Sequence, residues 1–359
     1  MSLLVTQSDL RRIIADAGLD GLMDEVIAAL EVALADPSTV AVCPRGGFAL
    51  ENERTGVLEW MPAMRPSATA TVKMVAYNPD NPEHYRLPTI MASTAVYDSR
   101  TGALTALLDA TFTTALRTGA ASAVATRRLA RRGSTVVGLV GCGAQAVAQL
   151  HGLSRVLPIR RVLAYDTDPH VLASFARRVA FTGLRVERSD PQTLAAAADV
   201  ICTATSAPVG APPVLPGDPE RLRPGTHVNA VGSDLPGKTE LPLALLRAAV
   251  VCPDYLPQAA IEGECQQLSG EEIGPSLAEL VVGGGEAYRD RLTVFDSTGY
   301  ALEDQVVTEV VLAHARRLGA WRPLPLFTGT SDARNPYWLS QPDPELPAPV
   351  PAPEALTPA

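Results

Sequence analysis

At 359 residues, 47% hydrophobic and 19% charged, the chain is long enough to bury a large core and to form two domains. A formal net charge of −9 argues against a nucleic-acid partner, which needs a surplus of Lys and Arg, and leaves a cationic small molecule open. No apolar run reaches membrane-spanning length and MSLLVTQSDLRR lacks a basic targeting region, so a soluble, cytoplasmic protein with no membrane partner is expected.

In chain order, LRRIIADAGLDGLMDEVIAALEVALAD reads as amphipathic helix interrupted near Gly18–Gly21. After the Pro44–Gly47 loop come four strand-like pieces, VLEWMPAM, TATVKMVAYN, TIMASTAVYDS and ALTALLDA, with a hairpin signal at DSRTG. They predict a mostly antiparallel sheet carrying a helix. ALRTGAASAVATRRLA continues as helix, its start dense in hydroxyls at Thr113, Thr114 and Thr118. That pattern is a common capping arrangement and also a possible phosphate contact.

From Thr135 short apolar strands alternate with helical text: TVVGLVG, RVLAYD, DVICTAT, THVNAVG, AVVCP and LTVFDS. Such alternation predicts parallel pairing in a doubly wound sheet. ALEDQVVTEVVLAHARRLGA is expected to leave this sheet and pack back on the first. The last nineteen residues hold seven Pro and predict an extended or disordered tail. The expected fold class is α/β, a Rossmann domain over 119–315 plus an α+β domain over 1–118 with 316–340, then a Pro-rich tail over 341–359. The five Cys are scattered and never spaced CxxC, and the five His show no ligand spacing, so reduced thiols and no metal are expected.

Gly141-Cys142-Gly143-Ala144-Gln145-Ala146 is a GxGxxA fingerprint that follows a strand, opens a helix, and precedes by about twenty residues the acidic Asp166. Gly141 suits the tight turn, Gly143 the backbone approach to a pyrophosphate and Ala146 the packing of helix on sheet. The free N–H groups at Ala144 and Gln145 suit phosphate. Asp166 suits the ribose hydroxyls and repels a 2′-phosphate, so the expected cofactor is NAD rather than NADP.

ALRTGAAS, GCGAQA, YDTDP, HVNAVGSDLPGKTEL, IEGECQQL and FDSTGYALED, in this order from about Gly46 to Ala320, resemble the ornithine cyclodeaminase/μ-crystallin family. LEWMP, YNPDNP, LPTIM and EGECQQL are nearer its cyclodeaminases, those acting on lysine above all, than its imine reductases. The resemblance implies a redox-neutral reaction in which L-lysine becomes L-pipecolate, or L-ornithine becomes L-proline, with loss of ammonia and NAD regenerated in each turnover.

By the same resemblance Arg45, Lys73 and Arg117 bind the substrate carboxylate; from sequence alone each reads first as a solvated surface charge. Asp234, just past the end of THVNAVG, is implied as the base that deprotonates the α-ammonium, although SDLPGK is also good turn text. Glu59 is implied as a proton shuttle or as the group orienting the ring-closing amine. Thr118, Thr205, Lys238 and Ser297 are implied on the cofactor side, and Thr89 and Met91 as pocket lining. Glu264 is left between a contact to the distal amine and a supporting role. Ser233 stands where ornithine-acting members have glycine. A ketimine reductase or amino-acid dehydrogenase of the same fold, and a non-catalytic binding protein, are the competing readings. Homodimerisation through the first sheet is expected by analogy.

Overall fold

The computed structural model describes residues 2–50, 56–327, 329–330 and 332–340; the Pro-rich tail lies outside them. The chain opens with β1 (Ser2–Val5), then α1 (Gln7–Ala17) and α2 (Leu19–Ala35). The predicted interruption between these helices is Gly18, whose φ of +76° favours glycine. β1 itself was not foreseen.

Four antiparallel strands follow as the alternation predicts: β4 (Gly56–Arg65), β5 (Thr69–Tyr77), β6 (Ile90–Asp98) and β7 (Leu104–Asp109), preceded by the short β2 (Ala41–Val42) and β3 (Gly46–Leu50). Between β6 and β7, Asp98 accepts N–H bonds from Arg100 and Thr101 to close the hairpin. β1 joins as a parallel neighbour of β7.

α3 (Thr111–Leu129) then carries the chain to a second sheet. Its elements are β8 (Val136–Val140), α4 (Ala144–Val156), β9 (Arg161–Tyr165), α5 (Pro169–Arg178), β10 (Val186–Arg188), α6 (Pro191–Ala197) and β11 (Val200–Thr203). They continue through β12 (His227–Ala230), α7 (Leu243–Ala248), β13 (Val250–Pro253), α8 (Leu256–Glu262), α9 (Leu277–Gly283) and β14 (Thr293–Asp296). All seven strands are parallel, in the order β10-β9-β8-β11-β12-β14-β13. β11, β12, β13 and β14 are buried along their whole length, and β11 (VICT) and β13 (VVCP) read accordingly as largely apolar text. β12 (HVNA) and β14 (TVFD) instead bury polar groups that satisfy one another, His227 with Thr293 and Asn229.

α10 (Ala301–Leu318) returns to the first layer, packing on α1, α2, α3, β4 and β5, and β15 (Arg322–Leu324) pairs antiparallel with β1. Leu302, Val306 and Val311 of α10 share one core with Leu22, Val26 and Leu30 of α2 and with Met61 and Val75 of the sheet. Among the described residues no helix is long and apolar enough to cross a membrane.

Candidate active site

Strand order in the second sheet reverses between β8 and β11, and the loops leaving the carboxyl ends of a doubly wound sheet at such a point form its binding crevice. Gly143–Gln145 after β8, Ala204–Ser206 after β11, Val231–Asp234 after β12 and Ser297–Gly299 after β14 all line one cleft. The opposite wall is the first sheet. Period-two alternation puts Glu59 and Met61 of β4 on the same face as their partners Val75 and Lys73 of β5, and all four line the cleft. The space enclosed is ≈1040 Å³, counting the part open to solvent.

On the second-sheet side the glycine turn has the geometry its residues imply. Gly141 has φ +86°, and a Cβ there would lie 2.5 Å from the Ala204 carbonyl oxygen. Gly143 is the residue preceding α4; no side chain caps that helix, and the space beside its Cα is open. Uncapped N–H groups facing open space are what an anionic group requires. Thr114 Oγ1, Gln145 Oε1 and Ser297 Oγ are buried on the same cleft with no hydrogen-bond partner among the described residues. Together these observations fit a dinucleotide, the group the fingerprint implies. Ala146 is fully buried against the sheet. Asp166 leaves β9 and accepts from Cys142 N at 2.7 Å and Asp168 N at 2.8 Å, which ties it to the glycine turn. Thr118 donates its hydroxyl to Thr114 O, and Thr205 is held through its N–H by Glu240 at 2.7 Å.

Across the cleft, four cations from both layers meet five carboxylates. Lys73 Nζ donates to Asp304 Oδ1 at 2.8 Å. Arg117 donates from Nε to Asp304 at 3.1 Å and from Nη1 to Glu303 at 2.8 Å. Arg45 lies 3.3 Å from Glu59 and 3.3 Å from Glu262, and donates to the carbonyl oxygens of Thr298 and Gly299. Lys238 Nζ donates to Asp234 Oδ1 at 2.9 Å and sits 5.3 Å from the centre of the Tyr77 ring. Ser233 is buried and its hydroxyl donates to Lys238 O at 2.7 Å, closing the loop that carries Asp234.

Burial shifts these groups. It pushes the Lys73 ammonium down to about 8 against the pull of Asp304, and raises Glu303 to about 8 and Glu262 to about 7. Glu59 is raised by the same cause, partly offset by Arg45. Burial alone would raise Asp304, but Lys73 and Arg117 hold it below the usual carboxylate range. Burial works against the charge on Lys238, and Asp234 together with Tyr77 and Glu240 more than offsets it.

Of the residues expected at the site, Arg45, Glu59, Lys73, Thr89, Arg117, Thr118, Gly143, Ala144, Gln145, Thr205, Asp234, Lys238 and Ser297 line the cleft. Met91 does not. It follows Ile90, which lines the cleft opposite Tyr77, so strand alternation turns Met91 to the other face, where it is 38% exposed. Glu264 is also off the cleft. Its carboxylate accepts from Glu240 N at 2.7 Å, Leu241 N at 3.3 Å and Gln267 Nε2 at 2.8 Å, which ties together the backbone at Glu240 and Leu241. Lys238, expected on the cofactor side, is held by Asp234 at the cleft. Glu262, Glu303, Asp304 and Asp254 went unnoticed in the sequence. Asp254 accepts from Gly299 N at 2.7 Å and Thr298 Oγ1 at 3.0 Å, fixing the loop to which Arg45 donates. The only signal for Glu303 and Asp304 lay inside FDSTGYALED.

The profile of the ornithine cyclodeaminase/mu-crystallin family matches residues 10–318. The chain is 45% identical to the L-lysine cyclodeaminase of Streptomyces rapamycinicus, over 94% of this chain and 99% of that protein. A solved lysine cyclodeaminase, described for its recognition of L-lysine, L-ornithine and L-2,4-diaminobutyric acid, superposes with a TM-score of 0.91 at 48% identity, covering 94% of this chain and 99% of that one. A dimeric archaeal alanine dehydrogenase with bound NAD superposes with a TM-score of 0.80 at 33% identity, covering 91% and 99%. This chain belongs to the ornithine cyclodeaminase/mu-crystallin family.

Proposed function

We propose that the protein is an NAD-dependent cyclodeaminase that converts L-lysine to L-pipecolate, or L-ornithine to L-proline, and releases ammonia. The observation that carries this reading is one cleft in which Arg45, Lys73 and Arg117 stand with Asp234 and Glu59 opposite an uncapped helix start. Similarity along nearly the full length to an L-lysine cyclodeaminase supports lysine as the first substrate to test.

Gly143, Ala144 and Gln145 would hold the dinucleotide phosphates, with Thr118, Thr205 and Ser297 nearby and Asp166 on the adenosine ribose. Bound NAD supplies a hydride acceptor that is restored before product leaves. The cations bind the substrate α-carboxylate, and the planar fork of Arg117 suits its two oxygens. Asp234 takes the proton from the α-ammonium, freeing the nitrogen lone pair that an imine requires. Lys238 fixes the direction of that carboxylate. Glu59, raised by burial, carries a proton to or from the amines as the ring closes and ammonia departs.

In this reading 119–315 hold the cofactor, and 1–118 with 316–340 hold the substrate and pair two protomers. The helical stretch of α10 that falls within the former range packs on the latter. Incubation with L-lysine and with L-ornithine, each with catalytic NAD, tests the proposal: pipecolate or proline forms with equimolar ammonia. Likeness to the alanine dehydrogenase supports a second reading, an amino-acid dehydrogenase or ketimine reductase. That enzyme accumulates NADH in proportion to product, whereas a cyclodeaminase does not.

A further inference from the structure

The residues that bind the substrate carboxylate are themselves held by carboxylates. α10 begins Ala301-Leu302-Glu303-Asp304, and an acidic first turn is ordinary where it meets the positive end of a helix dipole at the surface. Here both acids are withdrawn from water, Glu303 with 0% and Asp304 with 3% of its surface exposed. Asp304 Oδ1 accepts from Lys73 Nζ and from Arg117 Nε. Its Oδ2 also lies 2.8 Å from the Lys73 ammonium, as an ion-pair contact without hydrogen-bond alignment.

Glu303 accepts from Arg117 Nη1, so two of the three guanidinium nitrogens are held by α10. The third, Nη2, makes no hydrogen bond among the described residues. It lies beside Gly299, where a Cβ would come within 2.7 Å of it. Lys73 enters from β5 and Arg117 from α3, so one side chain of a third element sets the spacing of two cations that the chain brings from different layers.

We propose that Asp304 is the positioning residue of this clamp: by holding Lys73 and Arg117 at once it presents them as a fixed pair, with Arg117 Nη2 turned to the substrate α-carboxylate. The inference rests on the amino-acid-binding reading of the cleft. Two cations against the single Asp304 carboxylate leave one positive charge for the substrate, and burial, by raising Glu303, lessens the negative charge it sets against Arg117. Around Lys73 the other charged groups are Arg117 on α3, Arg45 before β3 and Glu59 on β4, with Asp254 acting on Arg117.

The test compares wild type with Asp304→Asn and Asp304→Glu in the NAD-loaded protein. The readouts are the pH profile of kcat/KM for L-lysine and calorimetric titration with L-pipecolate, which carries the carboxylate and a ring nitrogen but no second amine to release as ammonia. Asp304→Asn is expected to weaken L-pipecolate binding by about tenfold or more. It also moves the alkaline limb of kcat/KM, set by Lys73 near 8, to lower pH, because the ammonium has lost its partner. Asp304→Glu restores part of both, and NAD affinity is unchanged. A merely structural role would leave the limb in place, and that result, or unaltered L-pipecolate binding, overturns the proposal. Should Asp304→Asn not fold, Glu303→Ala removes the Arg117 Nη1 partner alone, and a raised KM with little change in kcat is then required. A wild type that turns over neither diamine but binds L-pipecolate overturns the cyclodeaminase reading while the clamp remains testable by binding. A wild type that does neither overturns both.

Discussion

Asp234 lies one-third exposed at the cleft, with Lys238 on one oxygen and Ser233 locking the loop beneath it. Asp234→Asn keeps the shape and the contact to Lys238 but removes the proton acceptor. Turnover of L-lysine is expected to fall by at least about 100-fold, the scale of general-base catalysis, with NAD affinity unchanged by calorimetry. Retained turnover would remove Asp234 from the chemistry. Lys73 makes a second prediction. Its pKa of about 8 means the carboxylate site loses a cation as pH rises through that value, so kcat/KM declines on the alkaline side. A profile flat to pH 10 would contradict the role of Lys73. The acids of this region were hard to read because side-chain type does not reveal burial. Glu264 in EGECQQL drew attention while Glu262, two residues earlier, is the acid beside Arg45. Glu303 and Asp304 look like any acids at a helix start.

At the scale of elements, the clamp and the glycine turn are joined by two helices that touch backbone to backbone. A Cβ on Gly119 of α3 would lie 2.3 Å from Ala148 O, and one on Gly152 of α4 would lie 2.2 Å from Gly119 O. Arg117 and the uncapped start of α4 therefore share one rigid frame. Gly152→Ala must push α3 and α4 apart, and a loss of about 1–3 kcal/mol in denaturant unfolding is expected, together with weaker NAD binding. Unchanged stability would show that the helices yield freely. Six strands of the second sheet were legible because burial leaves short, largely apolar text such as VVGLV, VICT and VVCP; β10, three residues (VER) at the edge of the sheet and only partly buried, was not. β1, β3 and β15 were not, being short and lying at or near the margins of the first sheet, where no alternation develops.

For the whole molecule, the two sheets meet at a cleft that each builds only in part: Arg45, Lys73, Arg117 and Glu59 come from the first layer, Asp234 and the glycine turn from the second, and α10 packs on the same face of the first sheet that lines the cleft. The outer face of the first sheet shows Met64 at 40% and Met91 at 38% exposure, with Phe48 of β3 at 64% stacked edgewise on Trp60. Apolar exposure of that kind supports pairing of two copies through this sheet. Sedimentation at assay concentration is expected to give a dimer, and a monomer would remove that part of the proposal. The two-layer division and the cofactor turn could be read from motif order; the way the buried acids of α10 complete the first layer required the folded chain. The central claim is that a bound cofactor lends a hydride and takes it back within one turnover. Its most direct measurement is L-lysine incubated with NAD at a small fraction of the substrate concentration, following pipecolate, ammonia and absorbance of NADH together. Many turnovers per NAD are expected, with equimolar pipecolate and ammonia and no lasting NADH; product that stops at the quantity of NAD, with NADH rising in step, would contradict the return of the hydride.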